Sequence, residues 1–169
     1  MISIRNAVLV LSVAGVAGSA AAQNGPISPI AEGQTLVYVF TGVSNDTTDE
    51  DMTAALIHCT NLSVADIDVT VDIYFSVGTL AGSNTQTLFP GETASWQTQD
   101  AVSVNNFVAV NMDLVGIFAG GSGRITASDK KAPILCTAQS IDATSPAMHL
   151  ASLPMLRVAK PPKVKTLKE

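Results

Sequence analysis

Charge and aromatic side chains are scarce in this chain of 169 residues: 14% are Asp, Glu, Lys or Arg, and 5% are Phe, Trp or Tyr. There are only two cysteines and two histidines. Each shortage excludes something. A chain that is 47% hydrophobic and so weakly charged is not a disordered polyelectrolyte. Two cysteines outside C-x-x-C spacing, without clustered histidines, make a poor zinc centre. The sequence holds no G-x-S-x-G, H-E-x-x-H, P-loop or G-x-G-x-x-G pattern. His58 neighbours Cys59 and His149 stands alone in PAMHL, so an enzyme is not expected; a small hydrolase without a recognised motif is the least supported class. The acidic balance, with a pI near 4.8, argues against nucleic acid as a partner.

Basic residues are the most unevenly distributed. From Gln23 to Gly123 there is no Lys or Arg, while eleven acidic residues give that stretch a formal charge of −11. From Arg124 to Glu169 eight basic residues outnumber three acidic ones, for +5. The net charge of −5 is therefore an average over an acidic body and a basic tail.

The N-terminus reads as an address. Arg5 precedes an apolar run from Ala7 to Gly18, and Ser19-Ala20-Ala21-Ala22 follows. A basic start, a short apolar stretch and an A-x-A site in that order predict a cleavable signal peptide over residues 1–22. The run is short of the roughly 20 residues that span a bilayer. No second such run follows, so no membrane span is expected. The expected localisation is secreted or periplasmic. In an oxidising compartment Cys59 and Cys136 are expected to pair, in preference to serving as metal ligands or a catalytic thiol. If MTAALIHC and APILCTAQSID are strands, Ala55, Ile57 and Cys59 share one face, as do Ile134, Cys136 and Ala138.

The remainder reads as strands. Thr35–Val43 and Met52–Thr60 are rich in β-branched and apolar residues. In Ala65–Val77, Ile67, Val69, Val71, Ile73 and Phe75 occupy one parity, and Asp66, Asp68, Thr70, Asp72 and Tyr74 the other. That alternation predicts a strand with one buried and one wet face. Ala81-Gly82-Ser83-Asn84 is expected to turn, as is Pro90-Gly91, with strands at Gln86–Phe89 and Thr93–Thr98. Asn106–Phe118 is a further apolar segment, and Gly120-Gly121-Ser122-Gly123 is expected to break it. Arg124–Ser128, Ile134–Asp142 and Leu150–Val158 follow, the last interrupted or confined to an edge by Pro154. The expected fold is all-β: a single antiparallel β-sandwich over residues 35–158, after a linker at 23–34 and before a basic Pro/Lys-rich tail at 159–169.

The order HCTN, alternating strand, LFPGETASW, GRITAS and ILCTAQSID resembles a group of uncharacterised secreted bacterial β-sandwich proteins. The L-x-P-G-E-T turn between strands is similar to that of bacterial immunoglobulin-like modules. The resemblance spans about Thr35–Asp142 and implies fold rather than activity. Trp96 lies far beyond Cys59, whereas an immunoglobulin domain places its Trp soon after the first Cys. Only the sandwich architecture carries over.

Several residues remain as candidates for function. Asp66, Asp68 and Asp72 line one strand face, and carboxylate oxygens suit calcium if the acidic loop Asp46–Asp51 folds towards it, although no EF-hand loop is present; the competing reading is a solvated loop and a charged face that discourages edge pairing. Otherwise no cofactor is expected. Tyr74, beside those aspartates, is the expected wet-face aromatic for ligand stacking; Trp96 is expected in the core. In the tail, Arg157, Lys160, Lys163, Lys165 and Lys168 are candidates for an anionic surface. Asn45-Asp46-Thr47 and Asn61-Leu62-Ser63 match the glycosylation sequon. The expected function is non-enzymatic binding or an envelope-structural role with a protein or envelope polymer as partner. A carbohydrate- or calcium-dependent binding module is the alternative.

Overall fold

A computed structural model describes residues 28–46, 52–99, 109–112, 114, 116, 118–129, 133–143 and 148–158. The expected signal peptide, the acidic residues at 49–51 and the tail lysines lie outside these. Ten strands and no helix occur among the described residues: β1 (Thr35–Asn45), β2 (Thr53–Asn61), β3 (Ile67–Tyr74), β4 (Leu80–Leu88), β5 (Thr93–Gln97), β6 (Ala109–Asn111), β7 (Phe118–Ala127), β8 (Ile134–Asp142), β9 (Met148–Ser152) and β10 (Met155–Arg157). The all-β expectation holds.

The strands form one continuous curled sheet. One run of neighbours is β4-β3-β7-β1, with β10 paired to β1 beside Tyr38–Phe40. The other is β9-β8-β2-β5-β6. A single register pair, Asn45↔Ala54, joins them where β1 hands over to β2. The sheet is mixed rather than antiparallel throughout, because β6 runs parallel to β5. One hydrophobic core draws on both runs: Phe40, Val71 and Ile125 from the first, Ile57, Trp96 and Ala138 from the second. Side-chain hydrogen bonds tie the runs together, among them the following two. The Trp96 indole donates to Asn84 Oδ1 at 3.2 Å, and the Tyr38 hydroxyl donates to the Ile134 carbonyl at 3.1 Å.

Cys59 and Cys136 are bonded, and no free cysteine remains among the described residues. They are register partners on adjacent strands β2 and β8, with Cα atoms 4.1 Å apart. The bridge staples two neighbours of one ladder. In this it departs from immunoglobulin domains, whose disulfide crosses between sheets.

Two stretches, one expected as a turn and one as a break, are strands. Ala81–Asn84 lies within β4, and the β3–β4 reversal falls earlier, at Phe75–Thr79, closed by the Phe75 amide on the Thr79 carbonyl at 2.9 Å. Gly120–Gly123 lies within β7. The reason is packing. A Cβ at Gly123 would enter the Phe40 ring, and one at Gly121 would come within 2.7 Å of the Tyr74 carbonyl. These glycines clear space for aromatic rings and neighbouring backbone. Pro90-Gly91 does turn: Gly91 has φ +79°, and the Glu92 amide donates to the Phe89 carbonyl at 2.9 Å. Leu150–Val158 is divided at Pro154 into β9 and β10, which pair with different strands. Of Asn106–Phe118, the described strand residues are Ala109–Asn111 and the first residue of β7.

Candidate functional site

The alternating strand β3 buries Ile67, Val69, Val71 and Ile73, as its periodicity requires. Its other face is not wet. Thr70, Asp72 and Tyr74 are also buried, at 9%, 6% and 4% exposure. Pairing with β4 on one side and β7 on the other sets polar residues abreast on this face. In the first rung the Thr87 hydroxyl donates to Asp68 Oδ1 at 2.6 Å, and the Asp68 amide donates to Ser128 Oγ at 3.0 Å. In the second the Thr70 and Thr85 hydroxyls share a 2.7 Å hydrogen bond, with Thr126 on the far side of Thr70. In the third the Ser83 hydroxyl donates to Asp72 Oδ1 at 2.5 Å, and Arg124 Nε donates to Asp72 Oδ2 at 2.6 Å. A buried carboxylate and guanidinium are tolerable only when so paired.

Residues 28–34, the described part of the expected linker, lie over two of these rungs as a strap. Arg124 Nη1 donates to the Ser28 carbonyl at 2.5 Å, and Nη2 to the Pro29 carbonyl at 3.3 Å. A turn closed by the Gln34 amide on the Ala31 carbonyl at 3.1 Å brings the chain into β1. The Gln34 side chain then bonds the second rung: its Nε2 donates to Thr70 Oγ1 at 2.9 Å, and its Oε1 accepts from the Thr126 hydroxyl. A crevice of about 250 Å³ remains between strap and sheet, with Pro29, Ile30 and Leu80 as apolar wall and Thr85, Asp72 and Arg124 as polar wall.

This arrangement relocates several expected residues. Tyr74 is buried, not offered for stacking; the Arg124 guanidinium lies 5.4 Å from its ring centre. Its hydroxyl sits near Ser28 and Asp72 without completing a hydrogen bond. Burial, then the Asp72 charge, raises its pKa. Asp66 is exposed, Asp68 is bonded to Thr87, and Asp72 is committed to Arg124 and Ser83. Among the described residues no three His, Cys, Asp or Glu side chains converge to hold a metal ion. Trp96 is fully buried, as expected. Arg157 is exposed on the edge strand β10, its guanidinium 5.7 Å from the Tyr38 ring centre; the tail lysines lie outside the described residues.

Both sequons are closed. Asn45 and Asn61 are buried, with side-chain amides donating to the Gly116 carbonyl and to the Ala65 and Leu88 carbonyls respectively. Both side chains are spent on main-chain carbonyls, which leaves no room for a glycan. His58 is half-buried on β2, its Nδ1 2.7 Å from Ser95 Oγ on β5, and burial lowers its pKa. His149 is exposed on β9.

Arg124, Gln34, Ser83 and Thr85 went unnoticed in the sequence. One signal pointed to Arg124: it is the first basic residue after a long acidic stretch; its place opposite Asp72 emerges only from the pairing of β3 with β7. Nothing in the sequence marked Gln34. No protein-family model, curated protein or solved structure matches the chain.

Proposed function

We propose that the chain is a non-enzymatic protein of an extracytoplasmic compartment, a β-sandwich whose role is binding or structural, with a protein or envelope polymer as partner. The observation that carries this reading is the Cys59–Cys136 bridge, wholly buried between paired strands, since such bonds persist where the surroundings are oxidising. The signal-like N-terminus agrees with it. The sandwich reading is supported by a single hydrophobic core that draws on both strand runs. The described reactive side chains serve the frame. Arg124 and Asp72 hold the strap, and His58 bonds a cross-strand serine. The basic tail suits an anionic surface.

The test is co-sedimentation of the purified mature chain, Gln23–Glu169, with envelope material from the producing cell. Saturable retention is expected. Full recovery in the supernatant, together with turnover in a panel of hydrolase substrates, contradicts the reading. Excess calcium is expected to leave the melting temperature unchanged, because Asp72 already has a cation and Asp68 a hydroxyl donor. A calcium-dependent rise would restore the metal-dependent alternative.

A further inference from the structure

We propose that the outer face of β3 and β7 is a groove for a peptide main chain, held closed by the chain's own residues 28–34. The proposal rests on the binding reading above and gives one site its chemistry. The strap is gripped by its backbone. Two successive carbonyls, Ser28 and Pro29, are taken by the two Nη groups of one guanidinium, while the Ile30 side chain remains 38% exposed. Recognition of this kind reads the main-chain oxygens of the strap, and the Gln34 side chain adds two hydrogen bonds at its far end. The gripping group is pre-set. Arg124 is aimed by Asp72, and Asp72 by Ser83, through bonds that do not involve the strap. The floor therefore keeps its geometry when the strap leaves.

Charge narrows the ligand further. The Asp72–Arg124 pair is neutral as a unit, and the stretch from Gln23 to Gly123 carries −11, so an anion is repelled and an uncharged amide backbone is not. The strap covers this floor loosely, leaving a crevice of about 250 Å³ beneath it. Gln34 is the latch that keeps it in place, through Thr70 and Thr126. A peptide from outside competes with a tethered segment and meets only the fraction of molecules whose strap is open.

The probe is a dye-labelled peptide copying residues 24–34 (NGPISPIAEGQ), read by fluorescence anisotropy against the mature chain. Gln34→Ala removes the latch of the tethered strap and leaves Arg124 intact, while the peptide brings its own Gln. Binding is expected to tighten about tenfold as the cis competitor loses two hydrogen bonds. Arg124→Gln is expected to abolish binding, with circular dichroism confirming the fold. Unchanged or weaker binding to Gln34→Ala, or undiminished binding to a folded Arg124→Gln, overturns the proposal. If Arg124→Gln does not fold, the direction of the Gln34→Ala effect decides alone. Envelope co-sedimentation is scored separately: retention there with no peptide binding overturns the groove and leaves the binding reading standing.

Discussion

At the scale of single residues, the polar face of β3 is governed by Arg124. Its guanidinium makes four contacts at once: Asp72, two strap carbonyls and the Tyr74 ring. Arg124→Gln leaves Asp72 as an uncompensated buried carboxylate, and a loss of about 3–5 kcal/mol is expected in urea unfolding at neutral pH. The two perturbed titrating groups give opposite pH signatures. The folded chain disfavours the charged form of His58, so protonation favours unfolding. Stability is intact above the ordinary histidine pKa of 6.5 and falls as pH drops through it; His58→Gln is expected to flatten that slope. Tyr74 has a raised pKa. Its contribution is intact below 10 and is lost as pH rises past it, and Tyr74→Phe should remove this alkaline loss. The aspartates of β3 were legible in the sequence as one row. Their partners Ser83, Thr87 and Arg124 were not, because they lie on other strands and meet the aspartates only through strand pairing.

At the scale of elements, strand identity was legible wherever side chains alternate and illegible where glycine does structural work. The parity of Ile67–Ile73 and the shared faces of Ala55–Cys59 and Ile134–Ala138 follow from period two, and the core contains them; Phe75, of the same parity, lies past the end of β3 and outside the core. Gly82, Gly121 and Gly123 carry no such signal. Their purpose lies in Leu114, the Tyr74 carbonyl and Phe40, which a local window does not contain. Gly123→Ala is therefore expected to be severely destabilising: the new methyl group overlaps the buried Phe40 ring, and overpacking of this kind costs about 1–3 kcal/mol or more. A thermal melt comparing it with Gly91→Ala would separate two mechanisms. At Gly91 nothing crowds the added methyl, and only the left-handed backbone of the turn is strained. Wet and buried faces were legible on the core side alone, since alternation cannot announce that a strap covers the second face.

At the scale of the molecule, charge and covalent closure divide the chain. The acidic stretch contains β1 to β6 and ends as β7 passes through Gly123 to Arg124. The disulfide joins β2, in the acidic stretch, to β8, in the basic one, across 77 residues. Replacing both cysteines by Ala is expected to cost about 4–5 kcal/mol in the chain-entropy account of such a loop. The tail has its own test: deletion of residues 159–169 should reduce retention on anionic liposomes, and unchanged retention would remove the tail from any binding role. Export of a disulfide-closed domain underlies the whole account, and one measurement bears on it directly: the non-reduced intact mass of the protein recovered from the extracytoplasmic fraction of the cells that make it. The account predicts the mass of Gln23–Glu169 less two hydrogens, with no thiol available to alkylation. A cytoplasmic product that retains residues 1–22 and has two free thiols would contradict it.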